Sequence, residues 1–158
     1  MKKKEFFQLS LAIIICEAAG AIGSVFTAPA IKAWYATLIR PEIAPPNWIF
    51  APVWTALFAL MGAAVFLVWN KGRKKAHAKV ALIIFGIQLV LNIVWSMIFF
   101  GMHNPGGSLI EIIFLWLAIA ATICAFARIS KSAAWLLAPY ILWVSFAAYL
   151  NYSFFILN

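Results

Sequence analysis

The sequence predicts an all-α integral membrane protein: one domain, residues 1–158, folded as a five-transmembrane-helix bundle with a long structured first loop. Composition is the first reason. Hydrophobic residues make up 66% of the chain and charged residues 10%. A soluble domain of this size cannot bury that much apolar surface, so lipid must cover part of it. Span length is the second reason. Five apolar runs, at approximately 6–28, 48–70, 79–101, 107–127 and 133–155, each match the roughly 20 residues that cross a bilayer as helix. Helices satisfy their own backbone groups in lipid, so helices are expected and sheet is not.

Charge distribution is the third reason. Of the twelve Lys and Arg, ten fall on one side of an alternating five-helix path. These are Lys2, Lys3 and Lys4 before the first span; Lys71, Arg73, Lys74, Lys75 and Lys79 around the second connection; and Arg128 and Lys131 between the fourth and fifth spans. Only Lys32 and Arg40 lie on the other side. This positive-inside pattern predicts a cytoplasmic N-terminus and an outside C-terminus. It also accounts for the net charge of +8 without a nucleic-acid partner: "KGRKKAHAK" reads as a topology signal, compatible with contact to anionic lipid.

The first span follows "KKKEFF" and imitates a signal peptide. It is expected to be retained rather than cleaved near Ala19, because the apolar run continues through "AIGSVF". Cys16, Gly20 and Ser24 form a small-residue row with Ala19 and Gly23 alongside. Such a row lets helices approach closely, either within the bundle or across a homodimer face at Gly20, Gly23 and Ser24. Glu17 lies near mid-membrane, where an acid must be protonated, paired or facing water. It is a proton or ligand site, or a hydrogen-bonding residue. Cys16 and Cys124 read as packing residues. His77 and His103 lie on opposite sides, so no metal site is expected.

Residues 29–47 form the long connection, "PAIKAWYATLIRPEIAPPN". "WYATLI" suits a short interfacial helix. Pro41, Pro45 and Pro46 fix backbone angles and withhold donors, which makes a stiff crossing. Asn47 is placed to cap the second helix, Pro52 falls in its first turns, and Trp48 suits the interface. "GMHNPGGS" is a turn. Pro139, near the start of the fifth helix, is the one interior proline of that span.

Polar residues inside the spans carry the functional signal. Gln88, Asn92 and Ser96 recur at four-residue steps on the third helix, with Trp95 beside them. Tyr140, Trp143, Ala147 and Asn151 share a face of the fifth. Such faces should look inward. Interhelical glue worth about 0.6–2 kcal/mol per bond is one explanation. Depth favours another: Asn92, Ser96, Ala147, Asn151 and Trp54 all fall in the outer half, beneath the proline-rich loop, as a lidded cavity would require. Glu111 enters the fourth helix from the outer end and is expected near the interface.

The stretches "WYATLIRP", "APPNWIFAPVWTALFALMG", "QLVLNIVWSMIFFG" and "LAPYILWVSFAAYLNY" resemble the translocator protein family, also called tryptophan-rich sensory proteins or peripheral benzodiazepine receptors. They occur in that family's order from about Gly20 to Tyr152. The resemblance implies a five-helix bundle, commonly dimeric, in a membrane that here would be a bacterial plasma membrane. It implies a pocket for porphyrins, and in animal members for cholesterol and synthetic isoquinoline or benzodiazepine ligands. Carried over by motif, the lining is Trp34, Trp54, Phe58, Gln88, Asn92, Trp95, Tyr140, Trp143, Phe146 and Ala147. Two departures stand out. Ile43 in "PEIAPP" replaces a usual tryptophan, and no basic residue follows Tyr152, so the family's weak sterol motif is missing.

The function implied is a receptor or binding protein for protoporphyrin-type tetrapyrroles, acting in tetrapyrrole handling or stress sensing. The ring would stack on Trp54 and Trp143, with Trp34, Lys32 and Arg40 offering donors to propionates. The alternatives are light-dependent porphyrin degradation, with Trp54 and Trp143 taking part, and transport of porphyrin or sterol. No resident cofactor is expected. The expected partners are a hydrophobic small molecule, the lipid bilayer and a second copy of the chain.

Overall fold

A computed structural model describes residues 3–72 and 76–158. Lys2, Arg73, Lys74 and Lys75, part of the expected topology signal, lie outside the described residues. Helix α1 spans Lys3–Lys32, α2 Phe50–Gly72 and α3 Ala76–Ser96, which continues as a π-helical turn, Met97–Gly101. Helix α4 spans Pro105–Ala127, α5 Lys131–Leu136 and α6 Ala138–Leu157. Five helical stretches are long and apolar enough to cross a membrane, α5 and α6 together making the fifth. Among the described residues there is no strand.

Helix α1 lies against α2 and α3, and α4 lies between α3 and α6. Short α5 rests on α2 and α4. The core follows helical steps of three and four. Leu57, Phe58, Met61, Ala64 and Val68 of α2 meet Ile112, Leu115, Ile119 and Phe126 of α4, together with Tyr140 and Val144 of α6. The α1–α2 contact is close because Gly62 has no side chain: a Cβ there would stand 2.5 Å from the backbone of Ile13.

The boundaries differ from expectation in three places. Helix α1 does not stop at residue 28 but runs through Pro29 to Lys32. Pro29 withholds one helical N–H in the last turns, and the neighbouring Ala30 is buried, so packing offsets the loss. The first connection therefore shortens to residues 33–46 with a 3₁₀ turn at Tyr35–Thr37. Asn47 does not cap α2. It opens a 3₁₀ turn, Asn47–Ile49, whose N-cap is Pro46, and its buried Oδ1 has no hydrogen-bond partner among the described residues. The fifth span is broken at Leu137, with Pro139 in the first turn of α6. Proline is tolerated there because first-turn N–H groups have no helical acceptor.

Side chains close the remaining helix ends. Asn104 Oδ1 accepts from Gly107 N at 2.8 Å ahead of α4. Ser130 Oγ accepts from Ala133 N at 3.4 Å ahead of α5 and from Lys71 Nζ at 3.3 Å. His103 turns the chain between the π turn and α4 with φ of 52°, a left-handed conformation in which histidine is more common than most residues.

Candidate ligand site

The inward polar faces of α3 and α6 meet. Tyr140 Oη donates to Gln88 Oε1 at 2.9 Å and accepts from Asn92 Nδ2 at 3.0 Å. Gln88 Nε2 reaches Met61 Sδ of α2 at 3.8 Å. Tyr140 and Gln88 are each 1% exposed and Asn92 7%. The four-residue step from Gln88 to Asn92 is what lets one tyrosine hydroxyl bridge both amides.

Aromatic rings surround this network. Trp54 meets Tyr140 edge-on at 6.2 Å and lies 5.6 Å from Phe58 one turn on. Trp143 meets Phe50 edge-on at 5.9 Å and Phe146 at 5.7 Å. Rings thus bridge α2 and α6. Ala147 is half-buried against the same core. Trp143 Nε1 is buried with no hydrogen-bond partner among the described residues, which leaves one indole donor uncommitted.

The first connection packs on a second aromatic cluster. Trp34 stacks on His103 at 4.6 Å and meets Phe99 of the π turn edge-on at 5.6 Å. Buried Tyr35 contacts Phe100 at 5.7 Å and Phe154 at 5.2 Å. Arg40 lies over the Tyr35 ring at 5.7 Å and donates from Nη2 to the Pro45 carbonyl at 2.9 Å. Burial pushes the Tyr35 hydroxyl above its ordinary pKa, and the Arg40 charge opposes that shift. Asn158 then clasps the loop: its Oδ1 accepts from Ile39 N at 2.9 Å, and its Nδ2 donates to Ile39 O at 3.2 Å.

Trp95 touches both clusters. It stacks on Phe99 at 5.3 Å, and its Nε1 donates to Asn151 Oδ1 at 3.0 Å. Asn151 Nδ2 in turn donates to the Pro105 carbonyl at 2.8 Å.

The structure brings Trp54, Phe58, Gln88, Asn92, Trp95, Tyr140, Trp143 and Ala147 into one core, with Phe146 against Trp143. Trp34 belongs instead to the loop cluster with His103 and Phe99. The small-residue row of α1 needs correction. Gly20 and Gly23 do not form an outward face: a Cβ at Gly20 would stand 2.5 Å from Phe58, and one at Gly23 would stand 3.3 Å from Ser96 Oγ. Both glycines serve packing within the chain. Ser24 is exposed and donates to the Ala21 carbonyl at 2.7 Å.

Glu111 is also corrected. It is 7% exposed, and neither carboxyl oxygen has a hydrogen-bond partner among the described residues. Its stripe was readable in the sequence: Ser108, Glu111, Leu115, Ile119 and Thr122 recur at steps of three and four, and all are buried. Ser108 and Thr122 satisfy their hydroxyls on their own helix, at the carbonyls of Pro105 and Ala118. An ionised carboxylate has no donor with which to do the same. Glu17 keeps partial exposure on α1, next to buried Cys16.

Comparison with known proteins matches residues 12–157 to the model of the TspO/MBR family. The chain is 47% identical to a tryptophan-rich protein TspO of Chlorobaculum tepidum over 98% of both chains. It is 40% identical to a protein of the same name from Archaeoglobus fulgidus, over 96% of this chain and 97% of that one. It is 37% identical to the translocator protein of Bos taurus, over 84% and 79% respectively.

Proposed function

This chain belongs to the TspO/MBR family and is an integral membrane protein, and from that premise we propose that it is a membrane receptor for porphyrins and related flat hydrophobic ligands. The binding site lies between α2, α3 and α6, beneath the first connection. The observation that carries this reading is the Gln88–Tyr140–Asn92 network with Trp54 edge-on to Tyr140, in a core against which Trp143 packs and in which the Trp143 indole N–H and the Glu111 carboxyl have no partner among the described residues. Buried polar groups are normally paired. An apolar site holding a few uncommitted polar groups suits a ligand that is mostly ring with polar handles. Arg40 uses one N–H on Pro45 and, having five donors, retains others for a propionate at the loop.

Titration of the purified protein with protoporphyrin, read by quenching of indole fluorescence, tests the proposal. Trp143→Phe removes the unpartnered donor and is expected to weaken binding about tenfold, the usual worth of one hydrogen bond at roughly 1.4 kcal/mol. No protein hydrogen bond is lost, but the smaller ring gives up packing on Phe50 and Phe146, so a stability loss of about 1 kcal/mol is expected and affinity is compared where both proteins are fully folded. Unchanged affinity in both Trp143→Phe and Ala147→Phe would refute the site, because a phenyl group at 147 must intrude on the same walls.

Charge asymmetry supports a cytoplasmic N-terminus and an outside C-terminus in a bacterial plasma membrane. A homodimer is part of the same reading, and the outward position of Ser24 offers a cross-linking probe for it through Ser24→Cys.

A further inference from the structure

At the end of the bundle where α1 begins, an open groove of about 660 Å³ separates α1, α2 and α3. Lys4 and Gln8 of α1 line one side, Trp69 of α2 another, and Lys79 with Leu82 and Ile83 of α3 the third. Among the described residues that line it, none is acidic. Ile83 also lines a second, almost wholly apolar groove of about 450 Å³ that runs up α3 past Gly86, Ile87, Val90 and Leu91. Gly86 leaves that groove open, since a Cβ there would meet nothing within 4 Å. Two lysines and an exposed indole therefore line one groove, and an apolar groove shares Ile83 with it.

We propose that these two neighbouring grooves together form a binding site for a phospholipid with a net negative headgroup. The phosphate sits between Lys4 and Lys79, the glycerol region lies against Trp69, and one acyl chain follows α3 across Gly86. Each part fits the chemistry. Lysines at a membrane boundary attract anionic lipid. Tryptophan prefers the headgroup level. The path from Lys79 to Val90 is eleven residues of helix, about 16 Å at 1.5 Å per residue, which is comparable with one leaflet of a hydrocarbon core about 30 Å thick. Free phosphate would use the lysines but not the apolar limb, and a zwitterionic lipid would use the limb but meet two cations with no net charge. Ordinary snorkelling of lysine would not distinguish these headgroups. The site is separate from the ligand core beneath the first connection, which contains neither lysine.

Thermal unfolding of the full chain in mild detergent tests this. Phosphatidylglycerol, phosphatidylcholine and inorganic phosphate are titrated separately, because a ligand of the native state raises the midpoint. Phosphatidylglycerol is expected to raise it, and the other two are not. Lys4→Ala with Lys79→Ala should weaken the phosphatidylglycerol response about thirtyfold, since each lysine is worth about fivefold near an anionic headgroup. Gly86→Phe, at a position where a Cβ meets nothing within 4 Å, adds a ring to the apolar limb and should weaken the lipid response as well. An equal rise with phosphate alone, equal responses to both lipids, or an unchanged response in the double lysine variant would overturn the proposal. So would a Gly86→Phe protein that binds phosphatidylglycerol as before but changes its oligomeric state, since the groove would then seat a second copy of the chain.

Discussion

Tyr140→Phe tests whether the centre of the bundle is held by one hydroxyl. The substitution keeps the ring, and therefore the edge-on contact with Trp54, and deletes only Oη. Two bonds go with it, the 2.9 Å bond to Gln88 Oε1 and the 3.0 Å bond from Asn92 Nδ2. Interhelical hydrogen bonds in membranes are worth about 0.6–1.7 kcal/mol each, so the pair contributes about 2 kcal/mol. The amides left behind are buried, which keeps the loss from falling much below that figure. The expected shift in the folded-to-unfolded ratio is about thirtyfold at 1.4 kcal/mol per decade. Reversible unfolding in mixed micelles measures it, with exposed Tyr152→Phe as the control. The triple variant Tyr140→Phe, Gln88→Met, Asn92→Leu should recover much of the loss, because removing all partners of a buried bond costs less than orphaning two of them. A loss below about 0.5 kcal/mol, or additive losses across the three substitutions, would refute the network's role.

Gly20→Ala is expected to destabilise the bundle by about 1–3 kcal/mol, because the new Cβ meets the Phe58 ring and cores resist overpacking. Sedimentation of that variant should show no change of oligomeric state, since position 20 faces inward. Asn158→Ala removes both bonds to Ile39, and hydrogen exchange at the Ile39 amide should speed up about fivefold to thirtyfold for one or two bonds near 1 kcal/mol each. The Tyr35 hydroxyl titrates above its ordinary pKa. The neutral form is thus favoured in the folded state. The loop contact is fully present below about pH 10, where unfolded tyrosine is also neutral, and is lost as pH rises through the higher folded value. The difference in alkaline absorbance between wild type and Tyr35→Phe should place that titration above pH 10, and an ordinary titration would contradict the burial.

The five spans were legible because hydropathy over about 20 residues is set by the bilayer and not by neighbours. The polar core was legible for a similar reason. Amides inside a membrane must find partners, and four-residue steps put Gln88 and Asn92 on one face. What the sequence concealed was azimuth. Helix α1 is apolar on most sides, so nothing in its composition said whether Gly20 and Gly23 faced α2 and α3 or a second chain. The same ambiguity hid the burial of Glu111: its distance from the end of α4 gave depth, and only the Ser108–Thr122 stripe gave direction. Asn47 looked like a cap because the side chain is right for one. The 3₁₀ turn that begins at Asn47 uses the preceding proline instead. The break at Leu137 was hinted at by Pro139 alone.

Loop and core meet at one side chain. Trp95 stacks on Phe99, against which Trp34 and Tyr35 pack, while its Nε1 holds Asn151, which in turn holds the first residue of α4 through the Pro105 carbonyl. Phe99 lies in the π turn, where the regular helical ladder is already interrupted and a change of register costs least. Trp95 is thus the side chain that packs on the bundle core and on the loop cluster at once. Replacing Ile43 with tryptophan would add aromatic surface to the loop, but not at this joint, because Ile43 is exposed whereas the aromatic contacts of the loop run through Trp34 and Tyr35. Position 43 therefore bears on what the loop presents outward, and the contacts that join loop and core run through Trp95.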